Sequence, residues 1–314
     1  MNLNPSYDNW VLLNEKPKVN NVLRGKNVVR QIDGKGLNIG RVFDLFGFND
    51  YICINMLGGE VGKLIEKTSK RLGLRTENFW INDENRINTA IVHGYEGRHD
   101  VVMVNESGPV VTSDEVSRFK SFYENILKPG DLVVISGSAA EGFTPSDLAE
   151  IAELSLSKQA VLAVDISNEW LIEIVNKKIS ILKINNDEIK VAFGVDPNSM
   201  QDLEAFRKNY NIDDLIITYG KKGAVYLNNH ERYRVFPPEM KADYAVGSGD
   251  SFFAGFLLNV VQGVDVEKAL IGATACGAAN ASCFGAALFG MEAYERCING
   301  VVLKEVNHEM LLGN

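Results

Sequence analysis

The chain has 314 residues, of which 46% are hydrophobic and 23% charged, a mixture that excludes disordered and collagen-like proteins. Its net charge of −9 argues against nucleic-acid binding, which depends on basic contacts to phosphates, and against an anionic membrane surface. Any anionic substrate therefore needs a local basic cluster. The four cysteines form no C-x-x-C pair, which predicts reduced thiols. The sequence shows no signal pattern and no apolar run of membrane length, so we expect a cytoplasmic protein.

Short apolar runs alternate with longer amphipathic segments along the chain. This alternation indicates βαβ units and a mainly parallel sheet that is covered on both faces. Thr112 with Glu115 is a capping-box pattern, and Thr144 before Pro145 marks a second helix start. The predicted strands are 51–56, 132–136, 161–165, 179–184 and 215–219, and the predicted helices are 59–72, 113–127, 145–156 and 199–210.

Two regions interrupt this rhythm with polar residues interleaved in short strands. They pair residues 11–13 with 28–32, and residues 88–93 with 100–104. We expect a small lid sheet, formed by about residues 9–33 and 80–105 and inserted in a single domain of residues 1–314. The surface of such a sheet needs cover from substrate, from the main domain or from a second subunit.

One glycine loop lies directly after the lid strand at 28–32. It reads Asp33-Gly34-Lys35-Gly36-Leu37-Asn38-Ile39-Gly40 and opens a segment with the apolar spacing of a packed helix. Its glycines permit close approach of a ligand, and Lys35 supplies a cation. A dinucleotide fingerprint is a weak alternative, because the spacing is G-x-G-x-x-x-G and no acidic residue ends the next strand.

The strongest signal for chemistry is Ala245-Val246-Gly247-Ser248-Gly249-Asp250-Ser251, which an apolar run follows. We expect a buried helix that begins near Gly249, whose free N–H groups and dipole favour an anion. Asp250 could be an ordinary helix cap, but so apolar a helix turns the loop toward the interior or a cleft. A carboxylate beside an anion hole suits removal of a hydroxyl proton while developing charge is stabilised.

These two loops are part of a series of motifs that resembles the ribokinase-like (PfkB) sugar kinases. Within that family the chain is most similar to the 1-phosphofructokinase and tagatose-6-phosphate kinase subgroup. The resemblance runs from Asn4 to about Asn280 and implies a three-layer α/β sandwich with a mainly parallel central sheet and a β-sheet lid. Its motifs, in chain order, are Asn4-Pro5-Ser6-Tyr7-Asp8, 34–38, Arg86-Ile87-Asn88, Ser136-Gly137-Ser138, 183–188, 219–224 and 247–250.

The resemblance implies a role for each matched residue. Asp250 matches the general base that accepts the proton of the attacking sugar hydroxyl, and Gly247, Ser248 and Gly249 match the anion hole. Asn185 and Glu188 match a motif that organises Mg²⁺ and the phosphates of ATP, with Glu188 acting on the metal indirectly. Substrate-binding positions are Asp8, Gly34, Lys35, Asn38, Arg86 and Ser138, and nucleotide positions are Gly220, Gly223 and Asn280.

Lys35 and Arg86 bear on the choice of substrate, because a sugar phosphate needs dedicated cations on a protein of net charge −9. We therefore expect ATP-dependent phosphorylation of fructose 1-phosphate or tagatose 6-phosphate. The alternatives are a kinase of an unphosphorylated sugar or nucleoside, and a catalytically quiet sugar-phosphate sensor. The resemblance also implies a homodimer through the lid, in which Arg24 would serve the neighbouring subunit.

The chain departs from the family pattern at several positions. Asp33 stands where the family has glycine, which brings a carboxylate near Lys35. Ile184 replaces a proline, Tyr219 replaces a leucine, and residues 139–141 replace Leu-Pro-Pro. Only three residues precede Asn4, so the family's first strand is expected to be almost absent. These departures bear on substrate identity more than on the reaction.

Overall fold

The computed structural model describes residues 1–17, 20–95, 98–242 and 244–307. Within the predicted lid, residues 18, 19, 96 and 97 lie outside these ranges. The strands are β1 (Ser6–Leu13), β2 (Asn27–Asp33), β3 (Cys53–Gly58), β4 (Thr76–Ile81), β5 (Arg86–Tyr95), β6 (Arg98–Val104), β7 (Leu132–Ser136), β8 (Val161–Asp165), β9 (Ile181–Asn185), β10 (Asp214–Thr218), β11 (Ala224–Leu227), β12 (Arg232–Phe236) and β13 (Val302–Glu305).

The helices alternate with these strands through most of the chain. Two of them begin as the sequence predicts, because the Thr112 and Thr144 side chains each accept the main-chain N–H three residues later. The helices are α1 (Lys35–Leu45), α2 (Gly59–Leu72), α3 (Ser113–Ile126), α4 (Pro145–Ser157), α5 (Asn168–Ile174), α6 (Asn186–Phe193), α7 (Met200–Asn209), α8 (Ser248–Val261), α9 (Val266–Ala281) and α10 (Met291–Ile298).

The central sheet has the strand order β13-β12-β11-β10-β9-β8-β7. Strands β7 to β10 are parallel, and β11 to β13 continue the sheet in antiparallel pairs. One face packs against α3 to α7 around side chains such as Phe119 and Leu203. The other packs against α1 and α8 to α10 around Phe253 and Leu270. The expected three-layer sandwich is therefore confirmed.

Three residues at the start of the chain connect two parts of the sheet layer. The Met1 nitrogen donates to the Val134 carbonyl of β7 at 2.7 Å. On the other side, Asn2 bonds to Ile54 and Met56 of β3, at 2.8 and 3.1 Å. Residues 1–3 thus occupy the position of the family's first strand, and they join the β3–β4 pair to β7.

The lid is a separate four-stranded sheet in the order β2-β1-β5-β6. Its β1 begins at Ser6, before the expected boundary at residue 9, and β4 pairs with β3 outside the lid. The inner face packs on the main domain, where the fully buried Trp10 ring meets Phe284 with centroids 5.6 Å apart. Gln31 of β2 also accepts a hydrogen bond from the Ala286 amide. The main domain therefore covers this face.

All four cysteines are free thiols. No helix within the described part of the chain is long and apolar enough to cross a membrane.

Candidate active site

The candidate site lies at the carboxyl edge of the parallel strands, where loops and helix starts converge. Ser136, Asp165 and Asn185 are the last residues of the adjacent strands β7, β8 and β9. In open α/β sheets, ligands bind in the crevice outside this edge. The glycine loop before α8 reaches the same place, because Gly249 lies against Lys183 of β9.

Helix α8 begins at Ser248, one residue before the predicted start at Gly249, and Gly247 is its N-cap with φ of 79°. That left-handed conformation favours glycine, and a Cβ atom at residue 247 would lie 2.8 Å from the Ala286 Cβ. The amides of Gly249 and Asp250 fall in the first helical turn, where no preceding helical carbonyl can accept them. The loop therefore offers N–H donors to an anion, as the sequence predicts.

Asp250 faces a cavity although it is only 9% exposed. Its Oδ2 atom accepts a hydrogen bond of 2.7 Å from Asn38 Nδ2. Burial raises the pKa of Asp250, the nearby Asp165 raises it further, and Lys35 opposes both. A carboxylate that is held in one orientation, and whose proton affinity is raised, is suited to act as a general base.

Two lysines share the buried carboxylate of Asp165. Its Oδ1 atom lies 3.1 Å from Lys35 Nζ and 2.9 Å from Lys183 Nζ. Burial alone would raise the pKa of Asp165, but the two ammonium groups lower it overall. For Lys35, burial lowers the pKa, but the charges of Asp165, Asp250 and Glu188 together outweigh burial and raise it. The ammonium group of Lys35 is therefore held beside the anion loop, and Lys183 lies next to it on Asp165.

A cavity of about 180 Å³ brings together most of the predicted substrate residues with Asp250. The half-buried Arg86 donates from Nη2 to the Asn4 carbonyl at 2.9 Å, and its buried Nε has no hydrogen-bond partner among the described residues. Gly34 adopts φ of 134°, and a Cβ there would lie 2.7 Å from Asn2 Oδ1. The lining consists of Asn2, Asn4, Asp33, Gly34, Lys35, Asn38, Arg86, Ser136, Gly137, Ser138 and Asp250.

Asp8 is fully buried behind this lining. Its Oδ1 atom accepts hydrogen bonds from Ser6 Oγ at 2.7 Å and from Asn88 Nδ2 at 3.0 Å. Burial raises the pKa of Asp8 to about 7, and the adjacent carboxylate of Asp33 contributes in the same direction. Arg41 of α1 lies 3.9 Å from Asp33 Oδ1. The departure at Asp33 therefore creates a pair of facing carboxyl groups.

The predicted nucleotide residues lie on the other side of the anion loop. Asn185 and Glu188 form a capping box at the start of α6, in which Asn185 Oδ1 accepts the Glu188 amide at 2.8 Å. Gly220 and Gly223 flank a single 3₁₀ turn after β10. Asn280 is fully buried, and its Nδ2 atom bonds to Ser248 Oγ at 2.9 Å and to the Val246 carbonyl at 2.8 Å. Asn280 thus shapes the anion loop from behind.

The donor set fits a magnesium ion that arrives with a nucleotide. Among the described residues, no three His, Cys, Asp or Glu side chains gather as a ready metal cage. Mg²⁺ is usually held by one or two carboxylates, by water and by substrate phosphates. Glu188, half-buried at the strand edge, is the residue that would assist it there.

Sequence reasoning assigned no role to three charged residues that organise the site. They are the buried residues Asp165, Lys183 and Arg41. Asp165 pairs with Lys183 and with Lys35, and Arg41 separately donates to Asn38. Asp165 carried a signal, because it is the last residue of a predicted buried strand and therefore lies at the ligand-binding edge. Nothing local to Arg41 indicated its contact with Asn38.

The chain is similar to known proteins in sequence and in fold. The family model described as pfkB family carbohydrate kinase matches residues 1–293. A tagatose-6-phosphate kinase of Staphylococcus epidermidis is 31% identical over 90% of this chain and 91% of its own. A 1-phosphofructokinase of Bacillus subtilis is 27% identical over 89% and 90%. The crystal structure of phosphofructokinase-2 from Escherichia coli shares the fold, with a TM-score of 0.86 and 19% identity over 95% of this chain and 97% of that one.

The carboxyl pair predicts a pH dependence of stability. A buried acid whose pKa is raised binds a proton in the folded state that the unfolded state has released, so stability falls as pH rises toward the folded pKa. With the pKa of Asp8 raised from 3.8 to about 7, the loss between about pH 4 and pH 7 is roughly 4 kcal/mol at most. Asp8→Asn should remove this component. Urea unfolding across that range tests it, and parallel wild-type and variant profiles would contradict it.

Proposed function

Because the chain belongs to the pfkB family of carbohydrate kinases, we propose that it transfers the γ-phosphoryl group of ATP to a ketohexose phosphate. The acceptor is fructose 1-phosphate or tagatose 6-phosphate, and the product is the bisphosphate. The relatives named tagatose-6-phosphate kinase and 1-phosphofructokinase support this substrate class. The observation that carries the proposal is Asp250, held at the start of α8 and facing a cavity lined by Lys35 and Arg86.

In this proposal Asp250 is the general base. Its carboxylate, oriented by Asn38, accepts the proton of the sugar hydroxyl whose oxygen attacks the γ-phosphorus of ATP. The bond from phosphorus to the β,γ-bridging oxygen breaks, and ADP leaves. Phosphoryl transfer of this kind depends on positioning and charge neutralisation, so a fixed acceptor for the hydroxyl proton is the main chemical contribution of the protein.

Three kinds of positive group would stabilise the negative charge on the γ-phosphoryl group during transfer. The N–H groups of Gly249 and Asp250 point from the start of α8, and the ammonium groups of Lys35 and Lys183 flank that loop. Bound Mg²⁺, assisted by Asn185 and Glu188, would neutralise the phosphates of ATP. Gly220 and Gly223 would let the nucleotide approach the backbone closely, with Asn280 supporting the anion loop.

We assign the phosphate of the substrate to Arg86, with Ser138 as a second contact in the same lining. The hydroxyl groups of the sugar would bind Asn38 and the Gly34 backbone, whereas Asp8 lies buried behind the lining and would support them from there. Lys35, whose ammonium group Asp165 holds, lines the same cavity. The cation at Arg86 distinguishes a sugar phosphate from a plain sugar.

One observation favours a second candidate, a kinase of an unphosphorylated sugar or nucleoside. Asp33 brings a carboxylate to the lining that also contains Arg86, and a carboxylate disfavours a dianion. A catalytically quiet sensor is a poorer match, because Asp250 faces the cavity with an oriented carboxylate. An ADP-release screen over plain and phosphorylated sugars separates all three: turnover with phosphorylated ketohexoses supports the main proposal, turnover with plain sugars the second, and none the sensor.

Replacing the base should abolish most turnover. Asp250→Asn keeps the size of the side chain and its capacity for hydrogen bonds. The amide cannot accept the proton, so we expect kcat to fall by at least ~10²-fold. ADP release under saturating ATP and sugar phosphate measures this. Asp50→Asn, at an exposed position, is the matched control and should retain wild-type kcat. Near-normal turnover in Asp250→Asn would refute the assignment.

Removing the proposed phosphate ligand should affect one substrate selectively. Arg86→Ala should raise KM for the sugar phosphate by roughly 10- to 100-fold, the effect of losing a charge-assisted contact. KM for ATP should stay within about twofold, because a contact with the sugar phosphate contributes nothing to ATP binding. Arg296→Ala, on an exposed helix surface, is the control. Equal increases in both KM values would count against the role.

The outer face of the lid supports the proposal of a homodimer. Val28, Val102 and Val104 are 45, 47 and 56% exposed. The strand register puts Val28 beside Val11 and Val102 beside Ile91, so an apolar surface extends across the sheet. A second copy of the same surface is the occupant we propose, with Arg24 of each subunit directed to its neighbour. A sheet with one bare apolar face is a typical interaction surface.

A charge on this face should separate the subunits. We expect sedimentation velocity to give a dimer for the wild type and a monomer for Val102→Glu, because a buried unpaired carboxylate is strongly disfavoured at an apolar interface. Val191→Glu, at an exposed helical position, should leave the dimer intact. A wild-type monomer at micromolar concentration would overturn this proposal.

A further inference from the structure

Asp33 is the departure from the family pattern with the greatest consequence for the cavity. It is the last residue of β2, directly before the Gly34-Lys35 loop, and it lines the cavity with Arg86 and Lys35. The family pattern has glycine at this position and therefore no charge. This chain instead carries an additional carboxylate within the space assigned to the sugar and its phosphate.

The groups around Asp33 leave it incompletely neutralised. Arg41 of α1 is 3.9 Å away, but its Nη2 atom donates to the Ile32 carbonyl at 2.9 Å and also to the Asn38 side chain. Asp33 Oδ1 and Asp8 Oδ2 are both buried without a hydrogen-bond partner among the described residues. Burial and the neighbouring carboxylate of Asp33 both favour the protonated form of Asp8.

The charged groups around the pair come from β1, β5 and α1. Strand β1 contributes Asp8, β5 contributes Arg86, and α1 contributes Arg41, which also faces Asp250. Helix α2 contributes the apolar Val61 and Ile65 to the packing behind β2. Two carboxylates thus face two guanidinium groups. A phosphate at Arg86 adds two negative charges, which the local cations balance better when the pair holds a proton.

We propose that Asp33 is a specificity-determining residue whose carboxylate, which lines the cavity beside Arg86 and lies next to Asp8, controls whether the cavity accepts a phosphate group, according to whether Asp8 holds a proton. With the proton present, the carboxyl pair carries a single charge and the phosphate is accepted. Without it, two carboxylates compete with the phosphate for Arg86. The inference rests on the proposed function, since it concerns the phosphate of that substrate.

The proton is held near neutral pH, because burial and the neighbouring Asp33 raise the pKa of Asp8 to about 7. The affinity for a sugar phosphate should therefore fall between pH 6 and pH 8. Asp33→Asn keeps the shape and removes the second charge, and Asp33→Gly restores the family residue. Neither variant should lose affinity across this range in the way that the wild type does.

The test is calorimetric titration at pH 6 and pH 8 with fructose 1-phosphate, tagatose 6-phosphate and unphosphorylated fructose. Relative to Asp33→Asn, the wild type should lose about tenfold in affinity for its preferred sugar phosphate over this range, the scale of one charge interaction. The phosphate's own titration is common to both proteins and cancels. Asp50→Asn should follow the wild type, and KM for ATP should not differ between variants.

Three results would overturn the inference. One is parallel pH profiles for the wild type and Asp33→Asn. Another is an equal difference between them for plain fructose, which indicates a structural effect. The third is an Asp33→Gly variant that retains the pH response. Binding is measured apart from turnover, so absence of ADP release with intact phosphate binding would refute the kinase proposal alone, and turnover with parallel profiles would refute this inference alone.

Discussion

The structure depends on the need to neutralise a carboxylate buried at the edge of the central sheet. Asp165 is almost fully removed from water, and an unpaired charge in that position is very unfavourable. Its partners come from distant parts of the chain, Lys35 at the start of α1 and Lys183 in β9. Because both lysines must meet one oxygen atom, the Gly34 loop and the sheet edge are held in a single arrangement, and the phosphate-binding loop before α8 lies against them.

A second set of buried contacts extends from this centre to the lid. Asp250 is joined to Asn38, Asn38 to Arg41, and Arg41 approaches Asp33 at the end of a lid strand. Several buried polar atoms along this route lack partners among the described residues, including Arg41 Nε and Asp33 Oδ1. Such unsatisfied atoms are rare in protein interiors and are expected where a ligand completes the hydrogen bonding. The candidate site is therefore polar and offers buried donors and acceptors to a ligand.

Much of the fold could be predicted from sequence, because strands 132–136 and 161–165 and helix 59–72 follow from local patterns of apolar residues, caps and glycines. The glycine loops likewise pointed to Asp250 and Lys35, which line the same cavity. The contact of Asp165 with Lys35 could not be predicted from the sequence. The two residues are 130 positions apart, and the order of the strands in the sheet, which local patterns do not encode, brings them together. The first strand was expected to be almost absent, yet residues 1–3 connect β3 with β7. They do so through main-chain hydrogen bonds, which do not depend on the side chains and therefore leave no pattern in the sequence.

The packing of the lid on the main domain has a thermodynamic consequence. Gln31 of the lid bonds to the Ala286 amide, and the next amide, that of Ala287, bonds to Asn280, which supports the glycine loop before α8. Displacement of the lid therefore disturbs the support of that loop, which the proposed function assigns to phosphate. By reciprocity, a ligand that stiffens either region lowers the cost of ordering the other. The affinities of the two substrates are in this way linked through the backbone of one short loop.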